Sequence, residues 1–186
     1  GLLDSKDASV RFKASAALAI HGIDDGLDEL LRNLVERVEE KVSGSRTVAM
    51  WQASIPFLGM IGNKKAIPGI LGILEDKKSN LDDIISAVRA LGRIGDDSVI
   101  PDLKEFMKWD DIPTERPMPL GNIPFLKPAI EDARWQVELA VAETMIELDA
   151  LKEEILEIIK FHISDERAYV RRYANKLLGQ VEGRQT

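Results

Sequence analysis

Hydrophobic and polar positions recur with a helical period in five segments of the chain that can be laid over one another. They are "VRFKASAALAIHG" (10–22), "MWQASIPFLGMIG" (50–62), "DIISAVRALGRIG" (83–95), "VELAVAETMIELD" (137–149) and "VRRYANKLLGQVE" (170–182). The first, fifth, eighth, ninth and twelfth columns are mostly apolar or small, which is one face of an α-helix. Asp83 and Thr144 depart from that face. The tenth column reads Ala19, Gly59, Gly92, Ile146 and Gly179. Glycine inside a helix costs about 0.5–1 kcal/mol relative to alanine, so its recurrence there predicts helices that approach backbone to backbone.

Helices of a second kind are predicted between these, over 24–42, 64–77, 97–109 and 150–163. Asp24, Asp97 and Asp149 stand where N-caps belong, and Pro68 and Pro101 fall in first turns, where a missing N–H does little harm. The pattern predicts nine main helices and carries no strand signal of the Asn-Gly or Asp-Gly hairpin type. Gly22 to Gly62 spans 40 residues, Gly62 to Gly95 spans 33 and Gly95 to Asp149 spans 54. The last interval returns to the low thirties once an insertion at 110–128 is set aside. Such periods, built of helix pairs, predict an all-α protein, an α-solenoid whose units bury their faces only by stacking. The reading is one domain over 1–186, with about 4.5 helix pairs. Leu2-Leu3 reads as the end of a first helix, which suggests either a truncated repeat or a piece of a longer array upstream of residue 1.

The insertion lies in "WDDIPTERPMPLGNIPFLKP" (109–128), which holds five of the chain's eight prolines. Fixed φ angles lower the entropy cost of ordering, and Met118, Leu120, Ile123, Phe125 and Leu126 give it apolar surface. An ordered loop folded back on the solenoid is expected, and whether it is structural, covers one end of the groove or contacts the partner directly is left open by the sequence.

Composition narrows the function classes. Apolar residues make up 45% and charged residues 31%, the balance of a folded protein. There is no cysteine, which removes thiolate metal sites and thiol nucleophiles. No apolar run reaches the roughly 20 residues that span a bilayer, and a cytoplasmic location is expected. Net charge is 0 over 1–93, −11 over 94–166 and +4 over 167–186. A nucleic-acid binder should show a broad basic face, and this chain shows only a short basic C-terminal helix.

The stretches "LLDSKDASVRFKASAALAIHG" (2–22), "ALGRIGDDSVIPDLKEFM" (90–107) and "ISDERAYVRRYANKLLG" (163–179) resemble HEAT repeats, most closely the HEAT-like repeats of the phycocyanobilin lyase type. The resemblance implies a right-handed superhelix with the second helix of each pair on the concave side. It also implies a ladder in which an Asp in the turn meets an Arg opening the second helix. Asp165 with Arg171, and Asp4 or Asp7 with Arg11, match that pattern, whereas Trp51, Ile84 and Glu138 occupy the Arg column elsewhere.

No catalytic constellation is evident. His21 and His162 are far apart and neither precedes an acidic residue, unlike the His-Glu pairs of HEAT-like hydroxylases; no metal and no cofactor is expected. Glu36, Glu39, Glu40, Glu153, Glu154 and Glu157 read as solvated helical faces beside Arg32, Arg37 and Lys152. The chain is therefore expected not to be an enzyme.

If the second helices line a groove, the third, seventh and eleventh columns face it. The candidate partner-binding residues are Phe12 and Ile20, Gln52 and Met60, Ile85, Arg89 and Arg93, Leu139, Glu143 and Glu147, then Arg172 and Lys176. Pairing of Arg89 and Arg93 with Glu143 and Glu147 across repeats is the structural reading of the charged rungs, and a groove that orients a partner is the functional one. The leading expectation is a protein-interaction scaffold binding another protein through these helices or through loop residues Met118, Leu120, Ile123 and Phe125. The alternatives are a phycobilin-lyase-like subunit acting on a tetrapyrrole, and a HEAT-like nucleic-acid binder using Arg167, Arg171, Arg172, Lys176 and Arg184.

Overall fold

The computed structural model describes residues 1–42, 46–110, 112, 115–117, 130–150 and 153–184. Nine α-helices occur among them: α1 (Ala8–Ile20), α2 (Asp24–Val35), α3 (Met50–Ile61), α4 (Ile67–Glu75), α5 (Leu81–Ile94), α6 (Ile100–Phe106), α7 (Arg134–Glu147), α8 (Glu153–Ile163) and α9 (Ala168–Arg184). The odd-numbered helices are the five segments of the shared register. They pack in sequence as one layer, α1 on α3, α3 on α5, α5 on α7 and α7 on α9, with α2, α4 and α8 packed behind as part of a second layer. This is the two-layer stacking of an α-solenoid, and no described helix is long and apolar enough to cross a membrane.

The register explains where the odd helices stop. Gly22, Gly62 and Gly95 follow α1, α3 and α5 with φ of 74°, 70° and 73°, and Asp149 follows α7 at 53°. A left-handed residue just past a helix lets the next backbone N–H groups reach carbonyls of the last turn. After α1, Ile23 N–H donates to the Leu18 carbonyl at 3.0 Å; after α7, Ala150 N–H donates to that of Met145 at 2.8 Å. The repeat spacing is thus set by these stop positions.

The expected caps shift by a residue. Asp24 is the first residue of α2, not its cap. Asp96, not Asp97, caps the 3-10 turn that leads into α6, accepting from Ser98 N–H. Pro68 and Pro101 do stand in the first turns of α4 and α6.

The absence of strands is corrected by two short hairpins. β1 (Glu39–Val42) pairs antiparallel with β2 (Arg46–Ala49), and β3 (Glu115–Pro117) with β4 (Ile130–Asp132). The helix expected over 24–42 ends at Val35, because Arg37 takes a left-handed φ of 52° and Val38 N–H closes on the Asn33 carbonyl at 3.0 Å. Beyond it, Val38, Val42, Thr47 and Val48 are β-branched and suit a pleated ribbon. Both hairpins join an even helix to the following odd one. The first accounts for the 40-residue opening interval, and the second is the stem of the proline-rich insertion.

Met118, Leu120, Ile123, Phe125 and Leu126 lie outside the described residues. The stem is anchored: Ile112 is buried, Tyr169 Oη of α9 donates to Glu131 at 2.6 Å, and Arg167 donates to the Asp132 carbonyl at 2.8 Å. One core cluster runs from Ala19 to Val181, with Leu30, Ile55, Leu91, Leu139, Met145 and Leu177 among its fully buried members.

Candidate functional site: the outer face of the odd helices

Two residues assigned to this face from their columns do not reach it. Leu139 has no exposed surface and Ile85 is 8% exposed. Both point into the core, because α5 and α7 are flanked on two sides by odd helices as well as backed by the second layer. Phe12 is also spent within the protein, edge-on to Phe57 at 5.5 Å between ring centroids, and Gln52 donates to buried Asp83 at 2.7 Å. Burial raises the Asp83 carboxyl above its ordinary range, against the lowering effect of the Gln52 bond. Asp83, a misfit in an apolar column, is therefore held by a polar partner on the neighbouring helix.

Ile20 and Met60 are exposed at the α1 and α3 end of the face. At the other end α5, α7 and α9 meet in a network. Arg89 lies 3.4 Å from Glu143 and donates to Tyr173 Oη at 3.1 Å; Tyr173 donates to Glu143 at 2.6 Å, and Lys176 reaches the other Glu143 oxygen at 3.2 Å. Burial alone would raise Glu143, but the bonds from Tyr173 and Lys176 and the charge of Arg89 outweigh it and hold its carboxyl below the ordinary range. Burial, with Glu143 accepting its bond, pushes Tyr173 up to about 12. The cross-repeat pairing expected for Arg89 and Glu143 is present, and Tyr173 is the member that column reasoning missed. Tyr173 sits one column from the expected ridge, and its long side chain reaches back over α7.

Glu147 packs over Gly92 together with Thr144, whose Oγ1 would stand 3.0 Å from a Cβ at that glycine. Arg93 and Arg172 are exposed and make no ion pair among the described residues. The face therefore ends in basic side chains on α5 and α9 beside acidic ones on α7.

The Asp–Arg ladder takes a different form. Arg11 donates to the Ser5 carbonyl at 2.6 Å, and Arg171 to that of Asp165 at 2.7 Å, each six residues back. The Asp165 carboxylate instead binds Arg167 at 2.8 Å, which holds it down at about 2, and Asp7 caps α1. A guanidinium that crosses a turn finds the carbonyl first, since the carboxylate is already engaged by nearer donors. In the same column Trp51 receives Arg37 over its ring at 4.2 Å, and Glu138 receives His162 at 2.7 Å.

Of the basic set in the C-terminal helix, Arg167, Arg171 and Lys176 are thus bound within the protein, and the side chain of Arg184 is outside the described residues. Glu39 and Glu40, expected on a helix, lie in β1, where Glu40 pairs with Arg11. Glu154 and Glu157 pair with Lys104 and Lys160. Buried His162 is the site residue that spacing could not reveal, since its partner Glu138 lies on another helix.

Residues 85–108 match the family model of the PBS lyase HEAT-like repeat. The fold matches that of a chain in the structure of the complex of CpcE and CpcF of phycocyanin lyase from Nostoc sp. PCC7120, with a TM-score of 0.60 and 20% identity over 96% of this chain. The match spans 62% of that chain. No curated protein matches in sequence. The repeats are HEAT-like, as the sequence motifs imply. The expectation that the chain is not an enzyme is corrected by the fold match, since the solved structure it resembles is that of a phycocyanin lyase complex.

Proposed function

We propose that the chain is a HEAT-like subunit of a lyase-type assembly and that it docks a second protein on the outer face of α3, α5, α7 and α9. The observation that carries this reading is the charge left over on that face. The charge of Glu143 is neutralised internally by Arg89 and Lys176, with Tyr173 donating a hydrogen bond to it, while Arg93 and Arg172 remain exposed without an ion pair among the described residues, with Met60 exposed toward the other end. A partner fitting it presents acidic side chains opposite α5 and α9 and an apolar contact opposite α3. The fold match to a two-protein complex supports docking as the mode of action.

The test is the double variant Arg93→Glu/Arg172→Glu, assayed against the purified partner identified by affinity purification. Affinity should fall roughly tenfold or more, with a steeper loss at low salt, and the melting temperature should hold. Unchanged affinity would sink the docking face.

The alternative reading is a phycobilin-lyase-like subunit acting on a tetrapyrrole chromophore, in keeping with the fold shared with a chain of a phycocyanin lyase complex. Incubation of the assembly with a bilin should change the visible absorbance spectrum, and an unchanged spectrum removes this substrate.

A further inference from the structure

The second layer holds a cavity that the docking face does not use. It measures about 450 Å³ and opens between α6, α7 and α8. Met107, Val141, Met145, Ile155 and Ile158 form its apolar walls. Its shape has a local cause: α6 is seven residues long, shorter than the α7 and α8 it faces. Two methionines make the wall adaptable to an apolar guest.

The charged groups around it are not equivalent. Glu138 has both oxygens occupied, Oε2 by His162 at 2.7 Å and Oε1 by Arg134 at 3.1 Å. Lys108 is largely exposed and bound to Glu105 at 2.9 Å. Lys104 is 27% exposed, and its partner among the described residues is Glu154, at a long 3.4 Å and itself 73% exposed. An ammonium carries three donors, so Lys104 retains capacity at the mouth, and Glu154 is free to swing into water.

We propose that this cavity binds a linear aliphatic carboxylate, its chain along half-buried Met107 and Ile158 above the buried floor of Val141, Met145 and Ile155, and its carboxylate on Lys104. A chain of roughly ten carbons suits the volume, which is within the range of small-molecule sites. The site lies behind α7, away from Arg93 and Arg172, so it stands or falls independently of the docking face.

The experiment is a titration of the protein, labelled with carbon-13 at its methionine methyl groups, with decanoate, decanol and decylamine. Met107 and Met145 should shift saturably with decanoate, while Met50 and Met60, outside the cavity, stay still. Decanoate should bind more tightly than decanol and decylamine, and Lys104→Met should cut the preference for decanoate over decanol about tenfold. Absence of a saturable shift at Met107 and Met145, equal binding of decanol, or a preference untouched by Lys104→Met would each overturn the proposal.

Discussion

The middle of the odd layer and the α4–α6 part of the second layer differ in how closely their helices pack. In the odd layer a Cβ added to Gly59 would stand 2.8 Å from Ala90 Cα, and Gly92 is covered by Thr144 and Glu147. Helices α3, α5 and α7 thus touch almost backbone to backbone. In the second layer Gly72 of α4 faces open space, and cavities of about 370, 120 and 450 Å³ line α2 and α4, α4 and α6, and the space between α6 and α8. Length contributes: α5 and α7 have 14 residues each, whereas α4 has nine and α6 seven after their proline-bearing starts. The α3, α5 and α7 part of the odd layer therefore works as a spine, and the second layer leaves open space beside α4 and α6. Glycine serves as a packing device at Gly59 and Gly92, and at Gly26 where α2 meets the backbone of α1, whereas at Gly72 and Gly179 it faces open space.

Substitutions can break this contrast. The largest effect is expected at Leu139, fully buried in α7: Leu139→Ala should lose about 2–5 kcal/mol in urea denaturation, against less than about 0.5 for Val35→Ala, which is 69% exposed on α2. Next, Gly59→Val should cost about 1–3 kcal/mol because Ala90 cannot retreat, whereas Gly72→Ala should gain about 0.5–1. Effects of the same sign at the two glycines would erase the distinction. Thr144→Val removes the buried bond to the Val88 carbonyl, 3.0 Å long, and should cost about 1 kcal/mol in the same assay.

The smallest effect is a pH dependence at the α8–α9 turn. The Asp165 carboxyl is lowered from 3.8 to about 2, chiefly by Arg167, so its contribution is fully present above pH 4 and lost as pH falls through 2. The stability difference between the wild type and Asp165→Asn should hold above pH 4 and close toward pH 2. A constant difference across that range would place the effect of the substitution elsewhere.

The spine was legible because its signals are local. Five helices repeat one apolar register, and the stop positions Gly22, Gly62 and Gly95 recur in one column. Thr144 looked like an error in an apolar column and proved to be a rung that bonds α7 to α5. Two kinds of feature stayed hidden. Strand β1 reads as the end of a helix because charged residues at 36–41 also suit a helix, and the Arg37 break carries no glycine to announce it. Residues on the outer face were misassigned where columns alone decided, since Leu139 and Ile85 are buried by neighbours that periodicity does not place. The Glu138–His162 pair and the cavity beside it depend on contacts between helices and on the length of α6, neither of which a register carries.

Hydrogen exchange read by mass spectrometry tests the division into spine and open layer most directly. Amides of α5 and α7 should be the slowest to exchange, approaching the protection set by global unfolding, while those of α4 and α6 exchange at least tenfold faster through local opening. Equal protection of the two layers, or slower exchange in α6 than in α5, would contradict the account.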